Sequence, residues 1–234
     1  QIFNTTRTFD EAFGHRKLSR DGLTLAMEMG SYLKIFEYID NIFVKTSEIG
    51  PYPSYVTIKV TKYGIRVFYT IFNENGDRQI VYVEKTEKGW SKENNLSTTN
   101  LNIDGGKMPL RLVDIANDGK TILTKTAVWP LQKQYIALIN EIEGKWMEPE
   151  LVGEYTLPPT DGPVYAADIY ISEDGRVIAM RQPRELSHAI IPGDLVVISH
   201  DVFVFVQDHE GRWHKHQVNP PDAGADGYND ILLS

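Results

Sequence analysis

Apolar and polar positions along this chain alternate in short runs with a period of two. Val202-Phe203-Val204-Phe205-Val206 is the clearest run, and Tyr32 to Phe36, Ile80 to Val83 and Tyr135 to Ile139 follow the same rule. Alternation flanked by polar turn residues predicts strands buried on at least one face. No segment sustains a period of 3.6. The best amphipathic stretch, Leu25 to Phe36, contains Gly30 and is so rich in aromatic and branched residues that it reads as strand rather than helix.

The runs belong to a repeat. Ser19-Arg-Asp-Gly22, Thr61-Lys-Tyr-Gly64, Ala116-Asn-Asp-Gly119 and Ser172-Glu-Asp-Gly175 each place a small residue, two polar ones and a glycine ahead of an apolar segment. A strand precedes each turn: Phe13 to Ser19, Tyr55 to Thr61, Leu110 to Ala116, Ala166 to Ser172 and, at the end of the chain, Tyr228 to Ser234. Downstream, a second hairpin closes on an aromatic residue: Phe43 after Asp40-Asn41, Trp90 after Gly89, Trp146 after Gly144 and Trp213 after Gly211. Each repeat therefore reads as a four-stranded antiparallel meander. The turn glycines lie 42, 55 and 56 residues apart, a spacing that suits the blades of a β-propeller. The expected blades span 11–50, 51–104, 105–160 and 161–221, with the first strand of another in 222–234. The four closing aromatic residues are expected at equivalent positions, as packing residues rather than a sugar-stacking set. Trp129 falls outside that pattern and is the better candidate for an exposed contact.

Two stretches carry a family resemblance. Phe13-Gly-His-Arg-Lys-Leu18-Ser-Arg-Asp-Gly22-Leu-Thr-Leu-Ala26, followed by Tyr32-Leu-Lys-Ile-Phe36, resembles the FG-GAP repeats of integrin α subunits and of bacterial and phage proteins. Asp222-Ala-Gly-Ala-Asp226-Gly-Tyr-Asn-Asp230 resembles the calcium loop of the same repeats, with Gly224 where a further Asp or Asn is usual. The resemblance implies a calcium ion held by Asp222, Asp226 and Asp230 with the carbonyl of Tyr228. Carboxylates are the hard oxygen ligands calcium takes, and a glycine lets such a loop turn sharply. The alternative for this segment is an Asp-Gly turn between strands. The turns at Asp21-Gly22, Asp118-Gly119 and Asp174-Gly175 offer too few carboxylates to replace a hydration shell and are expected as metal-free hairpins. The middle of the chain lacks the Phe-Gly pair, so a propeller of another family stays open there.

Composition narrows the function. In 234 residues there are 24 Lys and Arg against 32 Asp and Glu, a net charge of −8, and no basic cluster to release phosphate counterions, so nucleic acid is not the expected partner. No apolar run reaches the length of a membrane span, and no signal peptide is legible at the start. With no cysteine, disulfides and thiolate chemistry are excluded. Asn4 and Asn95 open glycosylation sequons.

No nucleophile with a base, paired-carboxylate cleft or phosphate loop is legible, and Gly105-Gly106 is an isolated pair. His214 and His216 would share a strand face, which is compatible with a metal pair, but solvated positions on an outer strand beside Trp213 are the expectation. Met180 to Pro192 reads as an insertion between two strands, carrying Arg181, Pro183, Arg184, Glu185 and His188.

The expectation is an all-β propeller of four-stranded antiparallel blades, belonging to a larger propeller or assembly. Its expected role is non-catalytic, a binding or structural module with a protein or glycan partner on a cell surface, filament or virion. The alternative is a propeller enzyme acting on glycans, a lyase or hydrolase. It would need acidic and basic side chains converging from different first strands, where Asp114 and Asp168 are the acidic residues present.

Overall fold

The computed structural model describes residues 15–51, 58–72, 78–96, 100–128, 133–156, 168–188 and 195–218. Every regular element among them is a β-strand, and Leu25 to Phe36 is not helical but two strands joined by a turn at Gly30-Ser31. The chain divides into two compact units, 1–97 and 98–234.

The first unit holds two sheets. Blade 1 runs β1 (Arg16–Leu18), β2 (Thr24–Met29), β3 (Tyr32–Ile39) and β4 (Ile42–Ile49), each strand antiparallel to the last. Blade 2 runs β5 (Ile58–Val60), β6 (Arg66–Phe72) and β7 (Arg78–Thr86), after which β8 (Gly89–Trp90) and β9 (Asn94–Asn95) both pair with β7. The second unit opens with a hairpin, β10 (Asn100–Ile103) and β11 (Gly106–Pro109). Blade 3 follows as β12 (Arg111–Ile115), β13 (Thr121–Val128) and β14 (Lys133–Ile142), with β15 (Lys145–Trp146) and β16 (Glu150–Thr156) both on β14. Blade 4 is β17 (Asp168–Ile171), β18 (Val177–His188), β19 (Leu195–Gln207) and β20 (Trp213–Gln217). The fold is all-β, and these meanders are four propeller blades; in blades 2 and 3 the outer strand is interrupted into two pieces. Tyr228 to Ser234 and Phe13-Gly14 lie outside the described residues.

The small-polar-polar-glycine signature has a physical reason at each turn. Ser19 Oγ donates to Asp21 Oδ1 (2.6 Å) and accepts the N–H of Thr24 (2.8 Å), while Asp21 Oδ1 also accepts the N–H of Leu23 (3.0 Å). Ser172 and Asp174 repeat this, at 2.6 Å between them and with the N–H groups of Val177 (2.9 Å) and Arg176 (3.1 Å). In blade 2 Thr61 Oγ1 alone takes the N–H groups of Ile65 (3.1 Å) and Arg66 (3.0 Å), and in blade 3 Asp118 takes that of Lys120 (2.8 Å). The carboxylates thus cap the turn's own backbone donors, as short polar side chains do at turns.

The hydroxyl of Ser172 and the N–H of Arg176 hold the Asp174 carboxyl below the usual carboxylate range. A depressed value means stability that is present above the unfolded pKa of about 4 and is lost as pH falls through the folded one. The urea midpoint of Asp174→Ala should accordingly lie below that of the unchanged protein at neutral pH, with the gap closing in acid. A gap that does not vary with pH would place the effect elsewhere.

Adjacent blades meet through the same turns. The N–H of Asp21 donates to the carbonyl of Lys62 (3.1 Å), and that of Asn117 to the carbonyl of Glu173 (3.0 Å). Gly64 lies against the side chain of Thr24, and Gly175 against that of Thr121, each threonine standing two residues after the turn glycine of the preceding blade. Apolar faces fill the rest of each seam. Ala26, Leu33 and Ile35 pack with Val67, Tyr69, Ile71, Val81 and Val83, and Leu123, Ile136 and Leu138 with Ile169, Ile171, Ile178, Met180 and Phe205.

The closing aromatic residues occupy matching hairpin positions. Phe43, Trp90 and Trp146 each pair with the second residue before the turn, namely Tyr38, Lys85 and Glu141. Trp213 pairs with Gln207 across a longer turn. Trp90 packs on the first core and donates its indole N–H to Glu37 (2.9 Å) and Thr46 (3.3 Å) of blade 1; Trp213 packs on the second. Trp129 lies outside the described residues.

Two local expectations are corrected. Met180 to His188 is not an inserted loop: the ladder of β18 against β19 continues through it to His188↔Leu195, with irregularities at Pro183 to Leu186. Proline removes one ladder donor, and the register shift absorbs the loss. Gly105-Gly106 is not an isolated pair either; Asp104 (φ 49°) and Gly105 (φ 80°) are the two central residues of the β10–β11 hairpin, where positive φ at both positions matches the twist of the strands.

Candidate functional site

The four residues of the expected calcium loop, Asp222, Asp226, Tyr228 and Asp230, lie outside the described residues. His214 and His216 sit on β20 and are exposed. His214 Nε2 lies 2.8 Å from Asp208 Oδ2, which also accepts from Arg212 Nε (3.1 Å), while Asp208 Oδ1 takes the N–H groups of Glu210 and Arg212 (both 2.9 Å). His214, the backbone of Arg212 and its guanidinium hold the Asp208 carboxyl far below the carboxylate range. This aspartate therefore organises the β19–β20 turn.

A different group gathers where blades 3 and 4 meet. Arg111 opens β12, and its cross-strand neighbour on β13 is Lys125. Side chains directly opposite across a ladder share a face, so Arg111 and Lys125 stand on the face of blade 3 that carries Leu123, Ile136 and Leu138 toward blade 4. Further along this face Tyr155 donates its hydroxyl to Gln134, both buried. Burial pushes the Tyr155 phenol up, so it stays neutral.

Blade 4 supplies the other half. Asp168 opens β17 and is directly paired with Arg181 on β18, with which it forms an ion pair. Gln182, the next residue, donates to the carbonyl of Thr156 in blade 3 (2.6 Å), tying the two blades together at this end. Asp114 Oδ2 accepts from the N–H of Ile171 across the same pair of first strands (3.5 Å).

Lys125 is the distinctive member. Its pKa is lowered from 10.5 to about 8, chiefly by desolvation and then by the nearby charge of Arg111, with Asp168 acting in the opposite sense. Removal from water disfavours the charged form of a lysine. Its cross-strand neighbour on β14 is the apolar Ile136. A cation kept partly dry beside a second cation is the kind of perturbed group that marks functional sites.

Asp114 and Asp168 were visible in the sequence as acids on first strands. Lys125 and Arg111 were not singled out. The available signal was a single lysine inside Thr121-Ile-Leu-Thr-Lys-Thr-Ala-Val128, a segment otherwise free of charge.

No family model matches this chain, and no curated protein matches it. Solved structures do. A TolB-type protein from Agrobacterium tumefaciens is 16% identical over 88% of this chain and 79% of its own, with a TM-score of 0.47. The β-propeller domain of the Trilobed protease from Pyrococcus furiosus is 11% identical over 91% of this chain, which spans 59% of that structure, with a TM-score of 0.49. Dihydro-heme d1 dehydrogenase NirN in complex with DHE is 13% identical over 91% of this chain, which spans 38% of that structure, with a TM-score of 0.50. At these identities the likeness is one of fold. It nonetheless corrects the expectation of a non-enzyme: the same architecture occurs in a named dehydrogenase, so the lack of a legible catalytic motif does not remove catalysis from this chain's range.

Proposed function

We propose that this chain is a ligand-binding propeller module whose ligand sits at the end of the seam between blades 3 and 4, against Arg111, Lys125, Asp168 and Arg181. The observation that carries this reading is Lys125, a cation partly withdrawn from water beside a second cation. Such an arrangement costs stability unless a ligand completes it. The module fits a recognition or assembly role at a cell surface, filament or virion, with a protein or glycan partner. Among the described residues no helix is long and apolar enough to cross a membrane. A thermal-shift panel of glycans and peptides tests the proposal: a ligand should stabilise the protein, and Arg111→Ala should abolish its effect. Ligands whose effect survives that change would move the site elsewhere.

The same lysine favours a second reading. An amine near 8 is neutral often enough to act as a base or nucleophile, so the glycan lyase or hydrolase alternative rests on Lys125. Under it, Lys125→Arg would keep binding and lose turnover.

The FG-GAP resemblance adds a calcium site at Asp222, Asp226, Asp230 and the carbonyl of Tyr228 to the proposal, and with it an extracellular setting. Three carboxylates within nine residues repel one another unless a cation screens them. With Gly224 supplying no ligand, affinity should fall near 10⁻⁴ to 10⁻³ M, roughly that of extracellular modules. Calcium at about 5 mM should then stabilise the folded state by about 1–2 kcal/mol. Melting curves with calcium and with chelator, repeated on Asp226→Ala, give the measurement; coincident curves for the unchanged protein would mean that the loop is a turn.

A further inference from the structure

The charge pattern of the seam specifies the ligand more closely than the proposal above, on which this step rests. The protein is acidic overall, at −8, yet Arg111 and Lys125 stand side by side on one face of blade 3. Among the described residues the acidic group acting on Lys125 is Asp168, and Asp168 is already bound by Arg181. Arg111, Lys125 and Arg181 thus stand against Asp168 and Asp114, and the local balance is positive. Arg111 is exposed and offers a planar fork of donors suited to two oxygens at once, whereas Lys125 is a recessed point charge. Asp168 is exposed beside them with acceptor capacity remaining, since a carboxylate accepts at two oxygens.

From this geometry we infer that the seam between blades 3 and 4 binds an anionic group, a carboxylate or phosphate, whose oxygens are shared by Arg111 and Lys125, carried on a small molecule with a hydroxyl that Asp168 accepts. A hydroxy acid or an acidic sugar has this chemistry. Among the described residues the other acid on this face is Asp114, opposite Leu123, and its carboxylate accepts the N–H of Ile171; Ile136 faces Lys125 from β14, and Tyr155 of β16 is neutral. Anion binding also relieves the repulsion between the two cations, so the ammonium should take up its proton more readily when the site is filled.

Isothermal titration of the 234-residue chain with glucuronate, inorganic phosphate and glucose tests the inference. Glucuronate is expected to bind and glucose not to bind. Lys125→Met and Arg111→Met should each weaken glucuronate roughly tenfold or more, as loss of a hydrogen bond to a charged group does, and Lys125→Arg should restore part of the affinity. Raising pH from about 7 to about 9.5 should weaken binding to the unchanged protein but not to Lys125→Met, because the ammonium of Lys125 discharges in this interval. Phosphate binding more tightly than glucuronate, with the same dependence on both residues, would assign the anion as phosphate and support the site. Glucuronate and phosphate both failing to bind, or binding equally to the variants, would overturn the anion inference. A neutral ligand lost in Arg111→Ala would then leave the broader proposal standing.

Discussion

Gly64→Ala should lose roughly 2–5 kcal/mol of stability, whereas Gly22→Ala, at the same place in the preceding blade, should lose only about 1–2. Both glycines have positive φ, 64° and 76°, so an alanine is strained at either one. They differ in surroundings. A Cβ on Gly22 would meet nothing within 4 Å, but a Cβ on Gly64 would lie 2.0 Å from Thr24 Oγ1 and 2.5 Å from Thr24 Cβ. Thr24 is 4% exposed and its N–H is held by Ser19, so it has little room to yield. Gly175, whose Cβ would sit 3.3 Å from Thr121, should fall between the two. Equilibrium urea unfolding of the three single variants gives the order. Combining Gly64→Ala with Thr24→Ala should recover part of the loss, since the nearest clashing atom is removed. Equal costs at all three positions would mean that the blades do not meet through their turns.

This order shows what a sequence can and cannot disclose about such a fold. The recurring glycine was legible because tight hairpins need positive φ, and the alternation around it was legible because strands bury one face. That the glycine also packs against a threonine of the preceding blade was hidden, since contacts between repeats leave no local period. The insertion reading of Met180 to His188 failed for a related reason. Pro183 and the charges around it look like a loop, yet a long hairpin tolerates them through its register shift. The site divides the same way. Asp114 and Asp168 were recognisable as acids on first strands, but the pairing of Arg111 with Lys125 depends on the bulge between Leu112 and Asp114 in β12, and nothing in the sequence of either strand announces the other.

The second large effect is expected at Lys125. Lys125→Met should raise stability near pH 7 by about 1–3 kcal/mol, the range found when buried charges give way to apolar side chains of similar volume. The thioether chain fits the space of the lysine stem and needs no solvation. The effect should depend on pH with a defined sign. The folded pKa is about 8 against 10.5 for an unperturbed lysine, so below about 8 the group is protonated in both states and its burial penalty is fully present. Between those values the unfolded chain binds more protons than the folded one, and stability rises with pH. Above about 10.5 both forms are neutral and the penalty is gone. The advantage of Lys125→Met should therefore be largest at neutral pH and shrink as pH climbs through 8 to 10.5, measured as the difference in urea midpoints between the two proteins. Loss of stability at pH 7 would mean that attraction to Asp168 outweighs desolvation, and the lysine would then be a structural ion-pair partner. A gain in stability accompanied by loss of ligand separates the two roles, because a variant that folds better and binds worse has lost a binding group and not its fold.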